Sequence, residues 1–529
     1  MNKYLRPPRP SLAPNATGLH AALLCAGLGA ALGLPLAASA AAVVPGDLLV
    51  TASTYIDPGF AIGATLPNGA GVGAVAASAF CGNASCSVNV WNNATVDANF
   101  GVTSGITLQS LNASSGTLDG SLDLTAVAAA QGIQLVTSFA SKSELAINLT
   151  PDGRGLTFMG YQSTGGLLDI SNSQAPGAIE PGNTDTAAAT ARTVAQFNLG
   201  TQALQQTVTG AYTGNNGRAA VLGSNGNYYT VGNAGNGNGG TVVTNGTGVQ
   251  LVVPGSGPTQ NNVGAFSIAQ YGYPADKTPK DSNYRGLTVF NNTLYVTKGS
   301  GSNGINTVYQ VGTAGSLPAA GNATPVTILP GFNTQLAKTD AMTPHPFGLF
   351  FANASTLYVA DEGSGLATDF GANPTTQAGG LQKYSLVGGT WMLDYTLTGS
   401  LIGSSYTVQG TGTLAGSALN VTTDGLRNLT GKVNADGTVT LYAATSTEGS
   451  ALGDAGADPN KIVAITDTLS FTSGVQAAGE DYTTLETAQL GQVLRGVALA
   501  PVPEPAGQAL LAAGLAALGF VVRRRKAAR

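Results

Sequence analysis

Arg285-Gly286-Leu287-Thr288-Val289-Phe290, then Asn291-Asn292, then Thr293-Leu294-Tyr295-Val296-Thr297 is the stretch on which the reading of the fold turns. Two β-forming runs flank a pair of asparagines. Asparagine tolerates the left-handed backbone that a two-residue hairpin requires. The same grammar recurs along the chain. Residues 347–351 lead through Asn353 to residues 356–361. Residues 427–430 pair with 437–442, and residues 218–222 with 227–231. Residues 144–149 pair with 155–159 across Pro151-Asp152-Gly153. Two further β-forming runs follow some of these pairs, at 380–386 and 391–397 in one unit and at 307–311 and 325–329 in another. Four antiparallel strands per unit, repeating at roughly 60–80 residues, predict an all-β chain folded as a β-propeller. A lone four-stranded sheet cannot bury both faces, whereas blades stacked in a ring can. Sandwich repeats run longer and β-helix coils shorter, so both fit the spacing less well.

The two ends of this region predict how the ring closes. Leu494-Arg495-Gly496-Val497-Ala498-Leu499 reads as a sixth first strand with nothing after it to complete a blade. Asp47-Leu48-Leu49-Val50-Thr51 reads as a second strand with nothing before it. Pairing them completes one blade from both ends of the body. First strands at 144, 218, 285, 347, 427 and 495 count six blades, or seven if residues 55–140 hold another.

Outside this body the sequence changes character. Lys3, Arg6 and Arg9 precede an apolar run, residues 19–38, that closes on Ala38-Ser39-Ala40. That is the pattern of a secretory signal peptide over residues 1–40. At the other end Val502-Pro503-Glu504-Pro505 precedes 17 residues, 506–522, with Gln508 the only strongly polar member. Arg523-Arg524-Arg525-Lys526 follow. Seventeen residues of helix span roughly 26 Å, enough for a thin bilayer core, so a single C-terminal transmembrane helix is expected. The basic cluster should stay cytoplasmic, which places the body, residues 41–501, outside the inner membrane.

The Pro-Glu-Pro element, apolar helix and terminal arginines, in that order over residues 502–529, resemble the PEP-CTERM family of exosortase substrates. The resemblance implies a tail recognised at the inner membrane by an exosortase-type processing enzyme and then removed, so the anchor is transient. It further implies delivery to the cell surface or an extracellular polysaccharide matrix, as in a biofilm. The body also resembles secreted bacterial propellers, on short elements such as residues 356–362.

Residues 1–40 and 506–529 carry eight cations and no acidic side chain. Without them 14 basic residues face 27 acidic ones, a net charge near −13. That argues against a nucleic-acid partner. After signal removal only Cys81 and Cys86 remain, six residues apart inclusive, and an oxidising compartment favours a disulfide between them. Two cysteines and one histidine, His345, make a poor metal set, so no metal site is read from them.

The residue opening the first strand is Arg218, Arg285, Arg427 and Arg495 in four copies, Glu144 and Phe347 in the other two. All should meet at one mouth of the channel, where Lys142, Lys277, Lys280, Lys338 and His345 add positive charge. Guanidinium groups bind carboxylate and phosphate bidentately, so these four arginines are candidate ligands for an anionic polysaccharide. The competing expectation is that each staples neighbouring blades, with Asp276, Asp281, Asp340 and Asp424 as nearby partners. Asp361-Glu362-Gly363 offers oxygen ligands of the kind calcium takes, although two adjacent carboxylates more commonly mark a solvated loop. No nucleophile elbow, P-loop, dinucleotide fingerprint or H-E-x-x-H motif occurs, and no cofactor is expected. The leading expectation is therefore an exported, non-enzymatic binding or structural propeller. The alternative is a secreted propeller hydrolase acting on sugars, lactones or phosphoesters at the channel mouth.

Overall fold

A computed structural model describes residues 43–56, 102–167, 173, 189–233, 248–255, 264–265, 283–299, 304–319, 324–448 and 456–502. The signal-peptide segment, Cys81 and Cys86, Lys277 and Lys280, and the sorting tail beyond Val502 lie outside these residues. No helix among the described residues is long and apolar enough to cross a membrane.

Six antiparallel sheets account for the described strands. Blade 1 joins Asn148–Leu149, Gly155–Tyr161, Arg192–Asn198 and Leu204–Thr209. Blade 2 joins Gly217–Leu222, Tyr228–Gly232, Val249–Val252 and Gly264–Ala265. Blade 3 joins Leu287–Phe290, Thr293–Lys298, Thr307–Val311 and Val326–Ile328. Blade 4 joins Pro346–Asn353, Thr356–Asp361, Gly380–Val387 and Thr390–Leu397. Blade 5 has an extra strand: Ser405–Gln409 precedes Ala418–Val433, Thr438–Thr447, Lys461–Thr468 and Thr483–Thr487. Blade 6 takes its first strand, Gln492–Leu499, from the end of the body. Its other strands, Leu48–Thr54, Thr103–Leu111 and Leu118–Asp123, come from the beginning, and the short Thr137–Ser138 pairs with the start of Thr103–Leu111.

The closure expected from the sequence is present. Leu48 faces Leu499, Leu49 faces Ala498 and Val50 faces Val497, with a bulge before Ala52 faces Leu494. The described part of the segment considered for a seventh blade, from residue 102 on, instead supplies outer strands of blade 6. A short helix, Leu124–Ala130, follows, with the Asp123 carboxylate accepting from Ala126 N at 2.8 Å. The asparagines of the 285–297 hairpin are left-handed, with φ of 46° at Asn291 and 56° at Asn292. Blade 1 departs from expectation. Only Asn148 and Leu149 of its first run join the ladder, because Leu145 adopts φ 62° and turns the chain out of extended conformation.

Glycine spacing along the inner strands fixes how the blades meet. A Cβ on Gly286 would lie 2.0 Å from Phe347 O, one on Gly348 2.6 Å from Arg427 O, and one on Gly496 2.3 Å from Leu145 O. Each glycine follows the residue that opens an inner strand, and each abuts the matching backbone carbonyl of the next blade. In blade 5 the position is Asn428, whose Nδ2 donates to Arg495 O at 3.0 Å. Threonines of the second strands complete the clasp. Thr297 Oγ1 accepts from Gly286 N at 2.9 Å and donates to Phe347 O at 2.6 Å. Thr51 Oγ1 does the same between Gly496 N and Leu145 O, both at 2.8 Å. Apolar residues between the blades, such as Tyr309, Leu357 and Val359 or Leu441, Val463 and Ile465, are buried and fill the space between the sheets.

Candidate functional site at the axial mouth

The inner strands all begin at one face of the ring. The second strands, running antiparallel, end there. Residues opening the first strands and residues just past the second strands therefore share one mouth. Arg285 and Arg427 belong to the former group in blades 3 and 5; Glu362 belongs to the latter in blade 4.

Glu362 is the centre of the arrangement. Arg427 Nε donates to its Oε2 at 3.2 Å, Arg285 Nη2 stands 3.7 Å from Oε1, and Lys142 Nζ stands 3.7 Å from Oε2. The Glu362 side chain is 3% exposed, against 7% for Arg285, 4% for Arg427 and 35% for Lys142. Burial opposes ionisation of Glu362, but Lys142, Arg285, Arg427 and His345 together hold its acid down to about 2. A carboxylate this deep in the protein persists as an ion only because cations surround it.

The other arginines staple the ring. Arg218 is buried, and its Nη1 donates to Tyr284 O at 2.7 Å and to Asn283 Oδ1. Burial, with Arg285 adding to it, pulls its guanidinium well below the ordinary value. Arg285 Nη1 also donates to Ser143 Oγ at 2.7 Å. Arg495 Nη2 donates to Phe139 O and, at 3.1 Å, to Gly456 O. The four arginines singled out from the sequence thus come to one end of the channel, each committed to protein partners. The anticipated partners differ. Asp340 is exposed and accepts from Met342 N in its own turn, and Lys338 is also exposed. Asp276 and Asp281 lie outside the described residues.

Carboxyl groups converge at the same mouth, as expected for Glu144 and Asp424, but the depth of their burial is what the sequence did not disclose. Glu144 accepts from Thr137 Oγ1, Ser138 N, Tyr161 Oη and Asn216 Nδ2 at 2.6 to 2.9 Å. Asp361 accepts from His345 N and Gly363 N, both at 3.0 Å, and from Gln382 Nε2 at 2.9 Å. Burial still pushes its acid up to about 7. Asp424 accepts from Gly365 N at 2.7 Å, while no donor reaches its buried Oδ1. Burial and the neighbouring Asp369 push Asp424 up to about 9. Burial lowers His345, whose Nδ1 is enclosed without a hydrogen-bond partner. Among the described residues no group of three or more histidines, cysteines or acids is arranged to hold a metal ion.

A cavity of about 230 Å³ on the axis is lined by all six inner strands. Asn148, Val221, Leu287, Leu349, Leu429 and Val497 each contribute. The closing strand ends at Leu499, just before the Val502-Pro503-Glu504-Pro505 element. The model of the PEP-CTERM protein-sorting motif matches residues 501–526. The chain is a PEP-CTERM protein with a propeller body. That motif marks export, membrane-associated sorting and processing by exosortase.

No curated protein matches this PEP-CTERM protein. Among solved structures it is similar to an ulvan lyase of polysaccharide lyase family PL25, at 12% identity and a TM-score of 0.32, over 82% of this chain and 97% of that one. It is also similar to an oxidoreductase described as a glucose dehydrogenase from Thermus thermophilus, at 14% identity and a TM-score of 0.28, over 64% and 87%. A levansucrase from B. megaterium matches at 9% identity and a TM-score of 0.27, over 86% and 94%.

Arg192 is a further structural arginine that the sequence does not flag. It is fully buried, and its Nε and Nη2 donate to Asn215 O at 2.9 and 2.7 Å. It lies on the third strand of blade 1, off the repeat position that drew attention to the other arginines. Glu362, expected in a solvated loop, is buried instead. Its signal was adjacency to a second-strand end, the face where the arginines begin.

Proposed function

We propose that this PEP-CTERM protein is an exported, non-enzymatic propeller that exosortase-type processing releases from a transient inner-membrane anchor to the cell surface or surrounding matrix. There it binds the carboxylate groups of an anionic polysaccharide at the axial mouth. The observation that carries the binding reading is the division of labour around Glu362. Arg285 and Arg427 are spent on fixing that carboxylate, whereas Lys142, on the same carboxylate, keeps 35% of its side chain in water. One carboxylate set against two guanidiniums and a part-exposed ammonium leaves this mouth net positive, which favours an incoming anion.

The sorting part of the reading is tested by deleting residues 502–529 and following the protein by fractionation and immunoblotting. Intact protein should lose its tail and reach the surface or medium, and truncated protein should not follow that route. Identical handling of the two forms would remove the basis for the proposal.

A second reading, a hydrolase at the same mouth, draws on His345. Its imidazole is biased toward the neutral, proton-accepting form and has an unoccupied Nδ1 beside Asp361 and Glu362. Screening the protein on ester, phosphoester and glycoside substrates, with and without calcium, discriminates the two. Turnover lost in His345→Ala would favour the enzyme.

A further inference from the structure

Away from the axis, between blades 4 and 5, lies a polar cluster around a buried ion pair that neither reading uses. Lys383, on the third strand of blade 4, places Nζ 2.7 Å from Asp467 Oδ2, on the third strand of blade 5. Both side chains are 0% exposed. Lys383 Nζ also donates to Thr468 O at 2.8 Å and Tyr395 Oη at 3.0 Å. The phenols of Tyr358 and Tyr395 donate to Asp467 Oδ2 and Oδ1 respectively, one on each oxygen. Both tyrosine rings also lie beneath the ammonium, 5.7 and 5.3 Å from their centroids. Glu480 completes the group. Its Oε1 accepts from Thr468 N at 3.0 Å, and its Oε2 is buried with no donor. Burial, then a hydrogen bond shared with Asp467, push its acid up to about 7. A carboxyl oxygen facing a second carboxylate without a donor is satisfied by carrying a proton itself.

We propose that Lys383 and Asp467 condense to an intramolecular amide that covalently joins blades 4 and 5, with Glu480 as the proton carrier. The first step passes one proton from the Lys383 ammonium to Asp467 across their 2.7 Å contact, leaving an amine and a carboxylic acid. The amine lone pair of Lys383 then attacks Cγ of Asp467, forming the C–N bond. Negative charge develops on one Asp467 oxygen, where a tyrosine hydroxyl already donates. Glu480 delivers its proton to the departing hydroxyl, the C–O bond breaks, and water leaves. Glu480 recovers a proton from Nζ and ends unchanged. The net reaction is ammonium plus carboxylate to amide plus one water, with no oxidant or reductant required. Contact between the reacting groups in the folded state supplies the proximity that makes such a condensation feasible.

Peptide mapping of the denatured full-length protein tests this directly. If the bond forms, trypsin cannot cut after Lys383. Residues 339–427 then remain one peptide, linked to residues 462–495, with the summed mass less one water. Glu480→Gln keeps the neutral shape of the protonated acid but removes the proton relay. It should fold, as judged by circular dichroism, and yield separate peptides 339–383, 384–427 and 462–495. Lys383→Met should give no linked species. Separate, unmodified peptides from folded wild-type protein would overturn the proposal and leave the pair as a buried salt bridge. Linkage at an undiminished level in Glu480→Gln would overturn the role of Glu480.

Discussion

Glu362 and Arg427 meet at 3.2 Å although 65 residues separate them and they belong to neighbouring blades. The same carboxylate reaches back to Arg285 on the blade before its own. One side chain therefore ties three consecutive blades at the axis, and its charge is the reason that two arginines can be buried there.

Replacing Glu362 by glutamine should lower stability by on the order of 3 kcal/mol at pH 7, because Arg285 and Arg427 lose their counter-charge while remaining buried. The dependence on acid has a definite sign. The folded-state acid is held at about 2, below its unfolded value, so its contribution is complete above roughly pH 4.5 and disappears as pH falls through 2. Denaturant titrations of both proteins between pH 2 and 7 should show the two curves converging at the acid end.

Asp424 predicts the opposite slope. Its acid is raised to about 9, so the unfolded chain ionises first as pH rises, and stability declines between about pH 4 and 9. Asp424→Asn retains an oxygen for Gly365 N and supplies a donor toward Asp369. It should leave the midpoint nearly unchanged at pH 4 and raise Tm at pH 8. A variant less stable than the parent at pH 8 would contradict the assignment.

The glycines that abut neighbouring blades should be intolerant. Gly286→Ala drives a Cβ to 2.0 Å from Phe347 O, a backbone atom that cannot rotate away, and should cost about 3 kcal/mol or more. Gly479→Ala, where no atom lies within 4 Å of the added carbon, should be near neutral. Urea midpoints of the pair report the difference.

Lys142→Ala should abolish salt-sensitive binding of a polyuronate. Because it also removes one of the cations that keep buried Glu362 ionised, a modest fall in Tm should accompany the loss, with the fold kept by circular dichroism. Affinity electrophoresis against polyuronate and a neutral glucan provides the readout. Unchanged retardation on polyuronate would remove Lys142 from the binding face.

The strand pairs were legible because a hairpin is local. Asn291 and Asn292 carry the turn, and their flanking β-formers carry the strands. Closure was legible because two half-blades, at 494–499 and 47–51, each lacked a partner. The extra strand at Ser405–Gln409 and the left-handed Leu145 were not legible. The first rests on pairing with an unusually long neighbour, and the second on contacts with Gly496 and Thr51 across the closing seam.

By itself the sequence determined what depends on residues near one another: hairpins, the blade repeat, and a sorting tail whose proline, apolar and basic parts are contiguous. Only the tertiary structure decided which charges meet. Glu362 chose Arg285 and Arg427, and Lys383 chose Asp467, because ring closure brings distant strands side by side. A buried charge takes whichever opposite charge the packing places within reach.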